Sequence, residues 1–543
     1  MRSSLPAVLL AAATAACATL PHGAAERDDV LVANARVVDG TGNPWYRGEV
    51  AIRGDRISYV GPARATRRAR RVIDAGDRVV APGFIDMLGH SESAILREPG
   101  APSKVSQGIT SEITGEVTSA WPNGGPGAPP PAAEPWSSLA GYFEHLERAG
   151  TAINLGTYVA AGSVRRAVMG DLSRRPTPDE MRRMAALVDA AMRDGAVGFS
   201  TGLIYPPSTF FTTDELIVLA RRAARQGGGY ASHIRNEGSG LLDAIREAIA
   251  VGAGAGSWVQ IRHLKSRSLP QMERAVALVD SARRAGIDVT ADQYPYTASG
   301  TGLSAILPVW VQAGGRDSML TRLRDPEVRR RLRTSAADSS ANPRNASTTM
   351  VNAVQTDSLR RYEGRRLDEI GRERGQDPYE AAYDILLADS GRTSAIYFSW
   401  DEDALRLVLR QPWASVGQDA GAAAPDSAGA LRPGRGHPRA FGTFPRILGR
   451  YVRDEGQLTL EAAVRKMTSL AAQRVGLADR GVLRAGAYAD VVVFDPATIA
   501  DRATYERPRQ LPVGMHHVLV NGVAVVDEGR LTGARPGRAL RRR

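Results

Sequence analysis

Cysteine is nearly absent: the 543 residues contain one, Cys17. A single thiol closes no intrachain disulfide and builds no thiolate metal site. Any metal must therefore be taken by histidine, aspartate or glutamate. Lysine is almost as scarce, with only Lys104, Lys265 and Lys466, so arginine supplies nearly all of the 70 basic side chains behind the net charge of +12. The arginine clusters at Arg64–Arg71 and Arg535–Arg543 are not interleaved with aromatics, and no nucleic-acid-binding motif accompanies them. They read as solvated surface, which excludes nucleic acid as the expected partner. Long apolar runs are missing beyond the first residues, so no transmembrane helix is expected in the mature chain. Repeats of solenoid length are absent too, and Gly227-Gly-Gly lacks the lysine and Ser/Thr of a phosphate loop.

What is present begins with a leader. Arg2 precedes the alanine-rich segment Leu5–Ala16, too short to span a bilayer and followed by small residues, the pattern of an export signal over residues 1–25. Cleavage near Ala18 or Ala25 gives a periplasmic or secreted protein. Cys17, directly after the apolar segment, offers a lipid anchor as the alternative, although Thr14 stands where leucine is usual.

Residues 29–80 read as short strands joined by turns such as Asp39-Gly and Arg53-Gly-Asp. The segment 481–535 has the same texture, so the two together predict one small β-sandwich; two separate β ribbons are the alternative. Between them strand and helix patterns alternate. Candidate strands are Val79–Asp86, Ile109–Gly115, Ile153–Ala160, Ala196–Thr201, Gly229–His233, Val259–His263, Asp288–Tyr294 and Ser415–Asp419. Helical patterns such as Pro178–Asp194, Thr212–Gln226 and Leu269–Ala285 lie between them, with acids in the first turn of the first two. Eight alternating units favour an α/β fold of the (β/α)8 type, a TIM barrel over 81–480, rather than an open sheet. The interval 308–396 is too long for one crossover and reads as an inserted subdomain or lid. Gly124–Pro135 reads as an irregular Pro/Gly-rich loop.

Only eight histidines occur. His233 ends the strand in Tyr230-Ala-Ser-His-Ile-Arg-Asn-Glu-Gly238, and His263 ends the next strand in Trp258–Lys265. In a closed parallel barrel the C-terminal strand ends converge on one face, which turns two such histidines into candidate ligands of one metal. Polar residues gather at other strand ends as well: Asp86, His90 and Glu92; Thr114 and Glu116; Asp419. Two imidazoles and a carboxylate form a catalytic zinc arrangement that leaves one position for water. Asp419 is the candidate general base for that water. Arg235 and Glu237, just beyond His233, read as an ion pair that steadies the loop; His145, His516 and His517 read as non-catalytic.

These stretches resemble the amidohydrolase superfamily, specifically the D-aminoacylase (N-acyl-D-amino-acid deacylase) group. The resemblance rests on Ala81-Pro-Gly-Phe-Ile-Asp86, Gly202-Leu-Ile-Tyr-Pro-Pro207, Tyr230–Gly238, His263-Leu-Lys265, Thr290-Ala-Asp-Gln-Tyr-Pro-Tyr-Thr297, Val416-Gly-Gln-Asp419, His437–Arg446 and Lys466-Met-Thr-Ser-Leu470. It implies that His233 and His263 are metal ligands and Asp419 the general base. It further implies that Lys265, Tyr294 and Arg439 hold a substrate carboxylate, and that Tyr205 lines the pocket. Arginine pairs with carboxylates bidentately and lysine adds a point charge, which suits that clamp.

Two positions depart from the family. The first-strand pattern Asp-x-His-x-His reads Asp86-Met-Leu88-Gly-His90, and leucine cannot ligate, so one zinc per chain is expected rather than two. The strand-two position of the family's cysteine ligand falls at Val117, which makes the neighbouring Glu116 the expected third ligand, with His90 as a further contact. The expected activity is hydrolysis of the linear amide of an N-acyl-D-amino acid by metal-activated water. Cyclic-amide or dipeptide hydrolysis by the same machinery is one alternative. A non-catalytic binding protein on this scaffold, motivated by Leu88 and Val117, is the other.

Overall fold

The computed structural model describes residues 27–542 apart from 66, 124–135, 335–344 and 427–435. The leader over 1–25, Cys17 and the loop Gly124–Pro135 therefore lie outside the described residues. Among those described, no helix is long and apolar enough to cross a membrane.

The chain begins with strands β1 (Asp28–Val37), β2 (Tyr46–Arg53), β3 (Arg56–Gly61), β4 (Ala69–Asp74) and β5 (Val79–Pro82). The Val79–Asp86 segment read as one strand is two, because β6 (Phe84–Asp86) pairs with a different sheet. The break falls at Gly83, where a Cβ would lie 2.2 Å from Thr110 Oγ1. There follow β7 (Ile109–Thr114), β8 (Asn154–Thr157), β9 (Val159–Ala160), β10 (Gly198–Gly202), β11 (Gly229–His233), β12 (Val259–Ile261) and β13 (Val289–Gln293). Their side chains are buried throughout, as expected for parallel strands covered on both faces.

Every pairing in this series is parallel: β6-β7-β8 form one sheet, and β9-β10-β11-β12-β13 continue to β17 (Ala414–Val416) in another. Tyr158 interrupts β8 and β9, but its N–H still donates to Thr114 O at 2.9 Å. At the other margin Met87 N donates to Val416 O (3.2 Å) and Asp419 N to Leu88 O (2.7 Å), so the last parallel strand is joined to the first.

The helices 178–193 and 213–225 cover this sheet. Each opens with a reciprocal capping box, Thr177 with Glu180 and Thr212 with Glu215, which satisfies backbone donors that a helix start leaves free. Between β13 and β17 the strands β14 (Ala298–Gly302), β15 (Thr349–Ala353) and β16 (Ser394–Phe398) form an antiparallel sheet, and the segment carries its own apolar cluster that includes Val311, Leu323, Tyr362 and Ile385.

The chain closes with β18 (Val491–Phe494), β19 (Met515–Val520), β20 (Val523–Asp527) and β21 (Arg530–Leu531). These join β1–β5 in one nine-stranded sheet, through antiparallel pairing of β18 with β5. The arginine-rich tail is not simply solvated surface. It runs along β8, with Leu155 N donating to Arg538 O (3.0 Å) and Leu540 N to Leu155 O (2.8 Å). Arg538 pairs with Asp55 and Arg541 with Glu147. Leu540 packs among Ile85, Met87, Ile113 and Tyr158.

Candidate metal centre and substrate pocket

His233 is the last residue of β11, and His263 lies two residues past β12. His263 adopts a left-handed backbone, φ 33°, rare for a residue with a Cβ. The turn is held by Asp292 on β13, whose Oδ1 accepts from His263 N at 2.7 Å while Oδ2 accepts from Gln260 and Arg262. The two imidazole rings meet edge to face, with centroids 4.4 Å apart and planes at 82°.

Glu116, just past β7, is the third member. Its Oε1 lies 3.2 Å from His263 Nε2 and 3.6 Å from His233 Nδ1. All three side chains are buried. Burial alone would raise the Glu116 carboxyl, but the two imidazoles hold it well below the ordinary range. The other oxygen, Oε2, lies 3.6 Å from His90 Nε2. His90 in turn meets Asp419 Oδ1 at 2.9 Å. Burial would lower the His90 imidazole, yet hydrogen bonding to Asp419 and its charge push it up to about 9.

Donor chemistry fits a divalent metal. Glu116, His233 and His263 bring one ligand atom each within 4.8 Å of one another, and Glu116 Oε1 is buried with no hydrogen-bond partner. Two imidazoles with one carboxylate is a zinc ligand set. His90, Glu116 and Asp419 form a second such group, sharing Glu116.

Asp419 also has a left-handed backbone, φ 55°. Its Oδ2 is 2.7 Å from Arg439 Nη1. Burial opposes ionisation, but the Arg439 guanidinium and His90 keep the Asp419 carboxyl below the usual carboxylate range. Tyr294 lies between the two cations of the expected clamp, its ring 4.8 Å from Arg439 and 5.4 Å from Lys265. The Tyr294 hydroxyl is buried without a hydrogen-bond partner. Tyr205 packs its ring 5.2 Å from that of His233 and bonds to Thr301 through its hydroxyl at 3.0 Å. A cavity of about 280 Å³ is lined by these residues, Tyr294 excepted, and by Val117, which stands at the wall.

The Arg235–Glu237 ion pair expected from the sequence is not formed: Arg235 pairs with Glu247 at 2.8 Å. Glu237 instead turns into the site, 2.8 Å from Lys265 Nζ and 3.0 Å from His263 Nδ1. Lys265 Nζ also reaches His263 Nδ1, at 2.9 Å, so both groups meet the ring on that side and Nε2 is left directed at Glu116. Glu237 outweighs the burial of Lys265 and raises its ammonium to about 12, so the lysine stays charged. Lys265 and His263 meet through this turn, since β12 ends at Ile261. Glu237 and Asp292 were missed as site residues. The signal for Glu237 was its place four residues after His233, and that for Asp292 a lone acid at the end of a buried strand.

With this geometry in place, comparison with known proteins gives a consistent result. The amidohydrolase family model matches residues 71–526. The chain is 38% identical over 533 residues, 95% of its length and 97% of the relative's, to an N-acyl-D-glutamate deacylase of Alcaligenes xylosoxydans xylosoxydans. It is 36% identical to a D-aminoacylase of the same organism, over 95% of this chain and 98% of the relative. Among solved structures, N-acyl-D-glutamate deacylase from Bordetella bronchiseptica, complexed with zinc and a phosphonate mimic of the tetrahedral intermediate, superimposes with a TM-score of 0.79. It is 34% identical, and the match covers 95% of this chain and 100% of that one. The fold is thus the α/β fold of the D-aminoacylase structures, and the chain belongs to the amidohydrolase family.

Proposed function

We propose that this chain is a zinc-dependent amide hydrolase that removes the N-acyl group from N-acyl-D-amino acids. The observation that carries this reading is the buried trio of Glu116, His233 and His263 facing Asp419 across one cavity. The deacylases to which the chain is similar support the acyl-amide class and the D configuration.

Glu116, His233 and His263 would hold the metal, with His90 as an additional contact to the shared glutamate. Zinc in that ligand set supplies Lewis acidity, which polarises a carbonyl and makes water nucleophilic at neutral pH. Asp419, kept ionised by Arg439, accepts the proton of the attacking water and delivers it to the departing amino nitrogen. Lys265, Arg439 and the Tyr294 hydroxyl receive the substrate carboxylate, and Tyr205 forms the wall beside His233. Glu237 keeps Lys265 charged.

For the architecture, the parallel pairings around β6 to β17 support a (β/α)8 barrel over 81–480 carrying an insertion at 308–396. The sheet shared by both termini supports one small β domain built from 29–80 and 481–535 rather than two separate ribbons. The leader pattern at 1–25 supports export to the periplasm or medium, with a lipid on Cys17 as the variant to test by mass spectrometry of the mature chain.

The purified protein, reconstituted with zinc, is to be assayed against paired N-acetyl-D- and N-acetyl-L-amino acids, hydantoin rings and dipeptides. The reading expects amine release from the D series, lost on chelation and restored by zinc. Turnover confined to rings or dipeptides would sink it.

A further inference from the structure

Lys104 is one of three lysines and is fully buried, an arrangement that needs partners for its charge. Its ammonium lies 2.9 Å from Asp86 Oδ2 and 3.3 Å from Glu112 Oε1, and donates to Ala420 O at 2.7 Å. Asp86 uses its other oxygen differently: Oδ1 accepts from Leu88 N at 3.1 Å and from Gln418 N at 2.8 Å. One ion pair thus grips the chain on both sides of Asp419, at the N–H of the residue before it and the C=O of the residue after it. Asp419 itself, in its left-handed conformation, is tied by its own N–H to Leu88 O. The packing admits no slack, for a Cβ on Gly89 would lie 1.7 Å from Glu112 Oε1.

We propose that Lys104 and Asp86 are positioning residues for Asp419: together they fix the strained turn so that its carboxylate faces His90 and Arg439. Neither residue lines the cavity, so they act through the backbone and touch no substrate. This inference rests on the reading of Asp419 as the proton carrier.

Loss of Lys104 alone leaves the buried Asp86 carboxylate without its cation and is expected to destabilise the fold, whereas Glu112, which burial already favours in its protonated form, takes up a proton. The test therefore uses the charge-balanced double variant Asp86→Asn/Lys104→Met beside Lys104→Met and Asp419→Asn. Misplacement of a catalytic group by about 1 Å costs about 100-fold in rate. The double variant should regain the wild-type melting temperature and zinc content, keep a near wild-type KM, and remain about 100-fold down in kcat. Asp419→Asn should bind zinc and be inactive. A double variant with wild-type kcat, beside an inactive Asp419→Asn, overturns the positioning role alone. A double variant that does not fold overturns it too, because the pair would then serve stability. Activity in Asp419→Asn overturns both the positioning role and the reading of Asp419.

Discussion

Replacing Glu116 by glutamine keeps the side chain's shape and removes its charge. Glu116 is 3% exposed and offers Oε1 to both imidazoles, so the amide would sit in the same place as a much weaker ligand. Changes to groups that merely support a metal ligand cost about 10- to 100-fold in affinity, so loss of the only anionic ligand in the trio should cost at least about 100-fold. At about 1.4 kcal/mol per tenfold, that removes about 2.8 kcal/mol of the stabilisation zinc confers on the folded chain. Competition against a chromogenic chelator reads the affinity, and thermal unfolding with and without zinc reads the linked stability. The wild type should gain stability on adding zinc, and Glu116→Gln should gain much less at the same concentration. Equal affinities in the two proteins would refute the reasoning, and would place the ion on other side chains.

Three further outcomes follow from the same geometry. Lys265→Met should lower kcat/KM for N-acyl-D-amino acids by about 10- to 100-fold, the worth of one charge-assisted hydrogen bond of about 1.5–3 kcal/mol, with KM carrying most of the loss. An unchanged KM would remove Lys265 from the carboxylate clamp. Leu540→Ala should destabilise the protein by about 2–5 kcal/mol in denaturant unfolding while zinc content stays intact, because its side chain packs under Ile85 and Met87. Burial pushes the Glu112 carboxyl up from 4.5 to about 7 even with Lys104 beside it. A raised acid holds its proton in the folded chain, so its contribution is full below the unfolded value and is lost as pH rises through about 7. Each unit of such a shift is worth about 1.4 kcal/mol. Glu112→Gln should therefore flatten the fall in stability between pH 5 and pH 8, measured by chemical unfolding; a parallel pair of curves would contradict the assignment.

The alternation of buried strands with amphipathic helices was legible because parallel strands need apolar residues on both faces. Gly229–His233 has the bounds that the sequence pattern suggests. The division at Gly83 was not legible, since Val79 to Asp86 is one apolar run and only contact with Thr110 splits it. His233, His263 and Asp419 could be singled out because each follows a strand with a polar residue where the apolar run ends. Pairings between distant segments left no local trace. Nothing near Arg235 signals that Glu247 will take it and release Glu237 into the pocket. Lys104 stood out by scarcity alone; its grip on the Asp419 turn comes from residues more than 300 positions away. The tail arginines looked like solvated charge, yet the sheet edge and Glu147 draw several of them in.

The central claim is that two imidazoles and a carboxylate from three successive parts of the chain hold one catalytic cation. An anomalous difference map recorded at the zinc edge from crystals grown with zinc tests it most directly. The account predicts a strong peak at roughly 2.0–2.2 Å from the ligand atoms of Glu116, His233 and His263. A map with no peak there, or with its principal peak away from these three side chains, would contradict it.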